Sequence, residues 1–213
     1  METYNIPEKV STLIFDIDGT LYTCDEFVQE QIDVQVRHWA DINGMTHSEA
    51  REKISDFRKQ YAHEHNGKKI SLGNIFLNFG VDIDTSIQWR IDLLKPENYL
   101  SPNPQLQKTL EKAAKRFRMI CVTNNPVEAA RKTLKVLGID KILADIVGLD
   151  SCKKSKPARE NLELALKITG AKAEECVSIG DRYDIDLSLP VQMGMGGVLV
   201  SGAEEVIEFI ESL

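Results

Sequence analysis

The sequence has little of what marks a membrane protein, a zinc-binding module or a nucleic-acid binder. No apolar run approaches the roughly 20 residues that a membrane-spanning helix needs. None of the four cysteines lies in C-x-x-C spacing, which disfavours a zinc knuckle or a redox pair. The formal net charge is -7, so the chain offers no general excess of basic side chains to a nucleic-acid backbone. We therefore expect neither a membrane nor a nucleic-acid polymer as a partner.

The cysteines and the first residues of the chain both favour a reducing compartment. Cys121 and Cys176 lie inside apolar runs, which is typical of reduced and buried thiols. The opening stretch METYNIPEKVST contains no apolar signal region. Because reduced thiols are usual inside cells, we expect a cytoplasmic protein.

Short apolar runs alternate with helical patterns along most of the chain. Apolar residues at helical spacing fill the intervals between the runs, and two of these patterns stop at Gly138 and Gly170, as helices often do. This alternation predicts an α/β fold with a parallel sheet. Five runs are predicted as buried strands: 12–15, 119–122, 146–149, 177–179 and 198–200.

The stretch from 23 to 96 breaks the alternation, because it contains no convincing strand. Apolar residues at helical spacing predict four helices there, the first with a face formed by Val28, Ile32, Val36 and Trp39. A proline-rich connector follows. We therefore predict an α/β core formed by 1–22 and 97–213, interrupted by an all-helical insertion over 23–96.

Two acids, Asp16 and Asp18, directly follow the first predicted strand in the stretch LIFDIDGTLY. Side chains two residues apart on an extended chain point to the same side, so both carboxylates can face one cavity. Ligands of parallel sheets bind beyond the carboxyl ends of the strands. Two close carboxylates repel, and a hard cation such as Mg2+ would relieve that repulsion. A solvated strand end is the alternative.

Three later strand ends also carry polar residues, and each has a structural and a functional interpretation. Thr123 and Asn124 precede a helix that is either simply capped, with Asn125 as its cap, or able to bind an anion. Lys156 stands before a proline, and its ammonium is either solvated or paired with acids or a phosphate. The strand predicted over 177–179 ends in GDRYDID, whose three acids form either a solvated turn or part of a cation site.

Together the four motifs, D-x-D-G-T, T-N, K-P and G-D-x-x-x-x-D in chain order, closely resemble those of the haloacid dehalogenase superfamily of phosphoryl-transfer enzymes. They extend over the whole chain, and the helical insertion is similar to the helical cap of that superfamily. The resemblance implies a Rossmann-like parallel sheet core with an inserted all-helical cap. It also implies an enzyme that uses Mg2+ as its cofactor.

The resemblance further implies roles for individual acids. Asp16 would be the nucleophile that forms an aspartyl-phosphate, and Asp18 the general acid that later acts as a base. Mg2+ would be bound by Asp16, by the backbone carbonyl of Asp18 and by Asp181. Asp186 would support the metal, and Asp184 competes with it for that role.

Three residues would hold the phosphoryl oxygens by the same resemblance. Thr123 and Lys156 would do so through their side chains, and Asn124 would contribute its backbone N–H. Neutralising the anionic phosphoryl group is most of the work in phosphoryl transfer.

The acid at position 18 favours phosphate chemistry within the superfamily. The haloalkanoate dehalogenases that this chain resembles lack an acid there, because halide leaves without a proton, whereas an alcohol needs one. The motifs and the connector look most similar to those of the pyrimidine 5'-nucleotidase-like branch. Gly19 departs from that pattern, since several nucleotidases of the branch carry Asn there.

The resemblance therefore predicts a Mg2+-dependent hydrolase of phosphate monoesters, acting on a small soluble phosphorylated metabolite such as a nucleoside monophosphate. One alternative is a phosphosugar mutase of the β-phosphoglucomutase type, which would return the phosphate to a second hydroxyl. The other alternative is a non-catalytic module that binds a phosphorylated ligand.

Overall fold

A computed structural model describes residues 1–213, which form one six-stranded sheet and ten α-helices. The strands are β1 (Glu2–Tyr4), β2 (Thr12–Phe15), β3 (Arg118–Val122), β4 (Ile146–Val147), β5 (Cys176–Gly180) and β6 (Gly196–Leu199). The helices are α1 (Asp25–Ile42), α2 (His47–Glu64), α3 (Leu72–Asn78), α4 (Ile83–Leu93), α5 (Pro104–Ala113), α6 (Val127–Leu137), α7 (Leu149–Cys152), α8 (Arg159–Thr169), α9 (Ser188–Gln192) and α10 (Ala203–Ser212).

The sheet has the order β1-β6-β5-β2-β3-β4, and all neighbours are parallel except β1 with β6. The predicted α/β class is therefore confirmed. β2 lies between β5 and β3, so that Phe15 is in register with Ile179 and with Cys121. Because these strands run in one direction, the residues that follow them lie at one edge of the sheet.

Three strands differ from the prediction by two or more residues at either end. The strand expected over 198–200 is β6, which begins at Gly196 and ends at Leu199. The strand expected over 146–149 ends at Val147, because the N–H of Gly148 donates to Ser151 Oγ at 3.0 Å and the chain turns into α7. β1 was not predicted. It is a three-residue edge strand with little buried surface, and it carries no apolar run that would reveal it.

Contacts divide the chain into two units, which are formed by Met1–Asp25 with Lys95–Leu213 and by Glu26–Leu94. The first contains the whole sheet and is called the α/β unit below. The second contains α2, α3, α4 and nearly all of α1, and is called the helical unit. The assignment of the helical unit as a cap remains a prediction. None of the helices in the structure combines the length and the apolar character needed to cross a membrane.

The helical unit has a core of its own that is rich in aromatic rings. Trp39 stacks on Phe79 with 5.0 Å between ring centroids, and Phe76 meets Trp89 edge to face at 5.6 Å. The predicted inner face of α1 is only half right. Val36 and Trp39 are buried, but Val28 and Ile32 are 40% and 39% exposed. Phe27 and Ala40, which lie outside the predicted stripe, are buried as well.

Candidate active site

Asp16 lies directly after β2 and is buried beneath the edge of the sheet. Its backbone N–H donates to the carbonyl of Ile179 at 2.9 Å, which continues the pairing of β2 with β5 by one residue. Its side chain is almost fully enclosed, with Oδ1 2.5 Å from Lys156 Nζ. Thr20 Oγ1 donates to Oδ2 at 3.4 Å. The strand register and these contacts together fix where the carboxylate points.

Lys156 is the cation nearest to Asp16, and its side chain is 7% exposed, compared with 3% for the acid. Its ammonium donates to Asp16 Oδ1, to Asp186 Oδ1 at 2.7 Å and to the carbonyl of Val122 at 2.9 Å. Its backbone N–H donates to Asn124 Oδ1 at 2.6 Å, which ties the lysine loop to the loop after β3. The prediction that this ammonium pairs with the acids is correct, and its solvated alternative is wrong.

Asp16, Asp186 and Lys156 are close enough that the charge of each affects the pKa of its neighbours. Burial raises the pKa of the Asp16 carboxyl, Lys156 opposes that rise, and the nearby Asp186 and Asp18 add to it. Burial alone would lower the pKa of the Lys156 ammonium, but the carboxylates of Asp16 and Asp186 outweigh it and raise the pKa. Burial also raises the pKa of Asp181, against the opposing effect of Arg182. The site therefore disfavours unbalanced negative charge.

Asp16, Asp181 and Asp186 form a cluster whose ligand oxygens all lie within 4.8 Å of one another. Asp181 Oδ1 is buried and accepts no hydrogen bond, and the guanidinium of Arg182 lies 3.5 Å away. A buried carboxylate oxygen without a donor is costly unless something else satisfies it. An all-oxygen donor set of this kind suits a hard divalent cation, so these residues fit the Mg2+ that the resemblance implies.

Gly19 and Gly180 let the chain approach these acids closely. A Cβ on Gly19 would lie 2.6 Å from Asp181 Oδ2, and the residue has a φ of +81°, which side chains other than hydrogen disfavour. A Cβ on Gly180 would lie 2.9 Å from Asp186 Cγ. The glycine of D-x-D-G-T therefore serves the acid of the last motif as well as its own turn.

Asp186, and not Asp184, joins this cluster. Asp186 lies in a π-helical turn over Tyr183–Leu187 that directs its side chain inward, where Oδ2 accepts from the N–H of Arg182 at 3.1 Å. Asp184 is exposed. The extra residue in a π-helical turn separates the orientations of these two acids, and such turns are frequent at functional sites.

Asp18 has different neighbours from Asp16. Asn125 Nδ2 donates to Asp18 Oδ2 at 2.9 Å, and the hydroxyl of Tyr22 donates to Oδ1. The carboxylate of Asp18 does not belong to the three-acid cluster. Its predicted contribution to the metal was through the backbone carbonyl, and that contribution remains a prediction.

The loop after β3 contains Thr123, Asn124 and Asn125, and the predicted role of Asn125 as a helix cap is wrong. Asn125 does not cap α6. Pro126 is the residue before the helix, and the N–H of Val127 donates to Asp150 Oδ1 at 2.9 Å, so an acid from α7 caps the helix instead. Thr123 is buried, and its hydroxyl accepts from the N–H of Asn125 at 3.1 Å. The roles of Thr123 and Asn124 in holding phosphate remain predictions.

Sequence reasoning missed three polar residues that the structure brings to these acids, namely Thr20, Tyr22 and Asn125. Thr20 and Tyr22 each follow their acid partner by four residues. A tight turn at Gly19 would have predicted these contacts, because it folds the chain back onto the two acids. Asn125 lies 107 positions from Asp18 in the chain, and only the adjacency of β2 and β3 joins them.

Comparison with known proteins gives a consistent family. The model of the haloacid dehalogenase-like hydrolases matches residues 10–194. Pyrophosphatase PpaX of Listeria welshimeri is 24% identical over 204 residues, which are 94% of this chain and 89% of that protein. Glyceraldehyde 3-phosphate phosphatase of Methanocaldococcus jannaschii is 27% identical over 203 residues, covering 87% of this chain and 82% of that protein.

A solved structure agrees with the fold. The HAD-hydrolase YfnB of Bacillus subtilis, in a crystal form bound to magnesium, superposes with a TM-score of 0.60 at 16% identity. The alignment covers 95% of this chain and 99% of that one. At this identity the likeness concerns the fold alone, and it extends over both units of the chain.

Proposed function

The chain belongs to the haloacid dehalogenase-like hydrolases, and from that premise we propose a Mg2+-dependent hydrolase of phosphate monoesters that works through an aspartyl-phosphate on Asp16. The observation that carries the proposal is the buried Asp16 carboxylate, which lies against Lys156 and within one three-acid cluster. Carboxylate, ammonium and a cation-binding cluster are the parts that attack on a phosphoryl group requires.

Asp16, Asp181 and Asp186 would hold the metal, together with the backbone carbonyl of Asp18. A bound Mg2+ would supply positive charge against the phosphoryl oxygens and the attacking carboxylate. Glycine at position 19 keeps Asp181 close to the D-x-D turn, and such an ion would satisfy the Asp181 carboxylate, whose buried Oδ1 accepts no hydrogen bond.

The first chemical step is the attack of an Asp16 oxygen on phosphorus. A bond forms between that oxygen and phosphorus while the ester P–O bond breaks, and the electron pair leaves on the alcohol oxygen. Asp18 gives that oxygen a proton, so the products are an alcohol and an aspartyl-phosphate. Lys156 and Thr123 stabilise the charge on the transferred group.

The second step returns Asp16 to its starting state. Asp18, now a carboxylate, takes a proton from water as the water oxygen attacks phosphorus. The P–O bond to Asp16 breaks, and inorganic phosphate leaves. Asp18 regains the proton that it gave in the first step, so atoms and charge balance over the cycle.

The substrate we propose is a small phosphorylated metabolite, with nucleoside monophosphates retained from the sequence analysis. Glyceraldehyde 3-phosphate is a further candidate, and pyrophosphate, an anhydride rather than a monoester, is tested beside it, because two relatives are named for these compounds. The cytoplasmic location belongs to the same proposal, since such metabolites occur there.

The test is phosphate release from a panel of nucleotides, sugar phosphates, pyrophosphate and small phosphoesters, with and without Mg2+. We expect release only with Mg2+, and none from Asp16→Asn, which serves as the blank and should retain the native circular dichroism spectrum. Full activity of Asp16→Asn would rule out the nucleophile. Mass spectrometry of the quenched enzyme should find a phosphoryl group on the peptide that contains Asp16.

The same panel separates the two alternatives. A mutase would yield isomerised sugar phosphate with little free phosphate. A non-catalytic module would release nothing from any member of the panel and would still bind one of them tightly.

A further inference from the structure

Both oxygens of the Asp18 carboxylate are held by donors, and we propose that Tyr22 and Asn125 position this acid for proton transfer. The inference rests on the proposed function, because it concerns the residue that is expected to protonate the leaving group. Asn125 Nδ2 donates to Oδ2 at 2.9 Å, and the Tyr22 hydroxyl donates to Oδ1. We refer to Tyr22 and Asn125 as the Asp18 clamp.

Each member of the clamp is itself fixed in place. Tyr22 is 5% exposed, and its backbone forms an isolated β-bridge with Asp18 across the turn at Gly19. Asn125 is 9% exposed. Donors that hardly move define the orientation of the carboxylate that they hold, and a pre-oriented group loses less entropy when it reacts.

The backbone of Asn125 is anchored to the end of β4. Its N–H donates to Thr123 Oγ1 at 3.1 Å, and its carbonyl accepts from the N–H of Leu149 at 3.0 Å. A Cβ on Gly148 would lie 2.7 Å from that carbonyl oxygen, so the two loops touch closely. The clamp therefore connects Asp18 to the loop after β3 and, through it, to the neighbouring strand.

The clamp divides the acids of the site by their partners. Asp16 contacts Lys156, a charge that it needs while it attacks an anion. Asp18 accepts hydrogen bonds from an amide and a phenol, two neutral donors that orient its carboxylate. This difference fits one acid that makes a bond to phosphorus and another that moves a proton.

The test compares two aryl esters of nearly the same shape, p-nitrophenyl phosphate and phenyl phosphate. p-Nitrophenolate leaves readily as an anion, whereas phenolate is far more basic and gains from protonation as it leaves. The constant kcat/KM includes only the steps through the first transfer to Asp16, so it reports the acid role. Tyr22→Phe keeps the ring and removes the hydroxyl, and Asn125→Ala removes the amide.

For both variants we expect kcat/KM for phenyl phosphate to fall at least about tenfold more than kcat/KM for p-nitrophenyl phosphate. The expected loss lies within the roughly 100- to 10,000-fold that positioned acid–base groups contribute. Tyr4→Phe is the matched control, because it removes a phenol that donates to Glu2 at the surface, and it should change neither constant. Asp18→Asn should give the same split with a larger loss.

Equal losses on the two esters, or no loss on either, would overturn the positioning role. If Asn125→Ala does not fold, Tyr22→Phe decides the question alone, because its ring still fills the same space. A wild-type protein that hydrolyses neither these esters nor the panel would instead contradict the proposed function. Failure of the clamp and failure of the phosphatase proposal therefore give different results.

Discussion

The α/β unit and the helical unit differ in whether they bury charged side chains. In the α/β unit, four charged residues from three loops converge on one largely buried group: Asp16, Lys156, Asp181 and Asp186. In the helical unit the buried core is aromatic and aliphatic, and its ion pairs are exposed or partly exposed, as between Lys59 and Asp56. The first unit carries costly buried charge, and the second is stabilised by ordinary packing.

Under the proposed function, this difference separates the unit that carries the chemistry from the unit that is free to vary. Buried charges that compensate one another tolerate few changes, because the loss of one leaves the others unpaired. An apolar core tolerates substitutions that conserve its volume. Changes in the α/β unit should therefore affect turnover and stability together, whereas core changes in the helical unit should act on stability first.

Removal of the Lys156 ammonium is expected to have the largest effect. Lys156→Ala leaves the carboxylates of Asp16 and Asp186 buried without their shared cation, and breaking a buried pair of this kind costs about 3–5 kcal/mol. Urea denaturation should show this loss, and phosphate release should fall below detection. Saturating Mg2+ should recover part of the stability, because a second cation then neutralises the acids.

Lys154→Ala provides the control for that experiment. Lys154 also pairs with an acid, Glu160, but both side chains are about half exposed. Exposed pairs contribute little, so the urea midpoint should hardly change. Similar losses in the two variants would contradict the view that burial makes the site sensitive.

The core of the helical unit is expected to respond with a large loss of stability confined to that unit. Phe76 is fully buried, and Phe76→Ala should cost about 3–5 kcal/mol through the cavity that it leaves. Both tryptophans of the chain, Trp39 and Trp89, lie in this unit, so their fluorescence reports its unfolding. Hydrogen exchange should show lost protection in α1–α4 and retained protection in the sheet.

The matched substitution is Phe209→Ala, in α10 of the α/β unit, where the ring is 3% exposed. It should lower protection in the sheet instead. If both variants unfold the whole chain in one step, the two units unfold as a single cooperative body. The units would then differ in the residues that they bury but not in their stability.

Gly19→Ala should have an intermediate effect that combines strain with disturbance of the metal cluster. The new methyl group would approach Asp181 Oδ2 to 2.6 Å, and the φ of +81° adds roughly 1–2 kcal/mol of strain. Displacing a metal-site residue typically weakens metal affinity by roughly 10- to 100-fold. Calorimetric titration with Mg2+ should detect that change independently of turnover.

Gly67→Ala separates these two causes. Gly67 has the same φ of +81°, but no atom lies within 4 Å of its added Cβ. This variant should show the strain and leave Mg2+ affinity unchanged. Equal Mg2+ affinity in the two variants would mean that Gly19 serves only the turn.

Much of the α/β unit was predictable, because its apolar runs are continuous and four of the five predicted strands are followed by a motif. The family and the fold class are confirmed. The sequence alone also named every acid of the three-acid cluster and its lysine. Asp16 and Asp181 follow strands directly, Asp186 and Lys156 lie in the segments after strands, and parallel strands bring their ends to one edge whatever the order of the strands. The pyrimidine 5'-nucleotidase-like branch remains a prediction.

The remaining details depend on strand order and side-chain orientation, which periodicity does not encode. Asn125 was interpreted as a helix cap because Ser, Thr, Asp and Asn before a helix usually are. Its contact with Asp18 requires β3 to lie beside β2. The face of α1 is half wrong for a related reason: the spacing predicts an apolar stripe but not which part of it is covered, and Val28 and Ile32 are exposed whereas Val36 and Trp39 are buried.

The smallest expected effect concerns the capping box that begins α2 in the helical unit. Glu49 Oε2 accepts from the hydroxyl of Thr46 at 2.7 Å and from its N–H at 2.8 Å, and these bonds hold the pKa of Glu49 below its usual 4.5. A carboxyl whose folded pKa is depressed stabilises the fold above its unfolded pKa. That contribution is lost as the pH falls through the folded value.

Glu49→Gln keeps the shape of the capping box, and Gln is accepted at this position, but it does not titrate. The variant should therefore be slightly less stable than the wild type at neutral pH, and the difference should shrink as the pH falls below 4.5. Urea denaturation followed by the fluorescence of Trp39 and Trp89 measures this difference in stability, because both tryptophans lie in the helical unit. A constant difference across this pH range would mean that the charge of Glu49 contributes nothing. Turnover should not change, because Glu49 belongs to the helical unit and the proposed catalytic residues belong to the α/β unit.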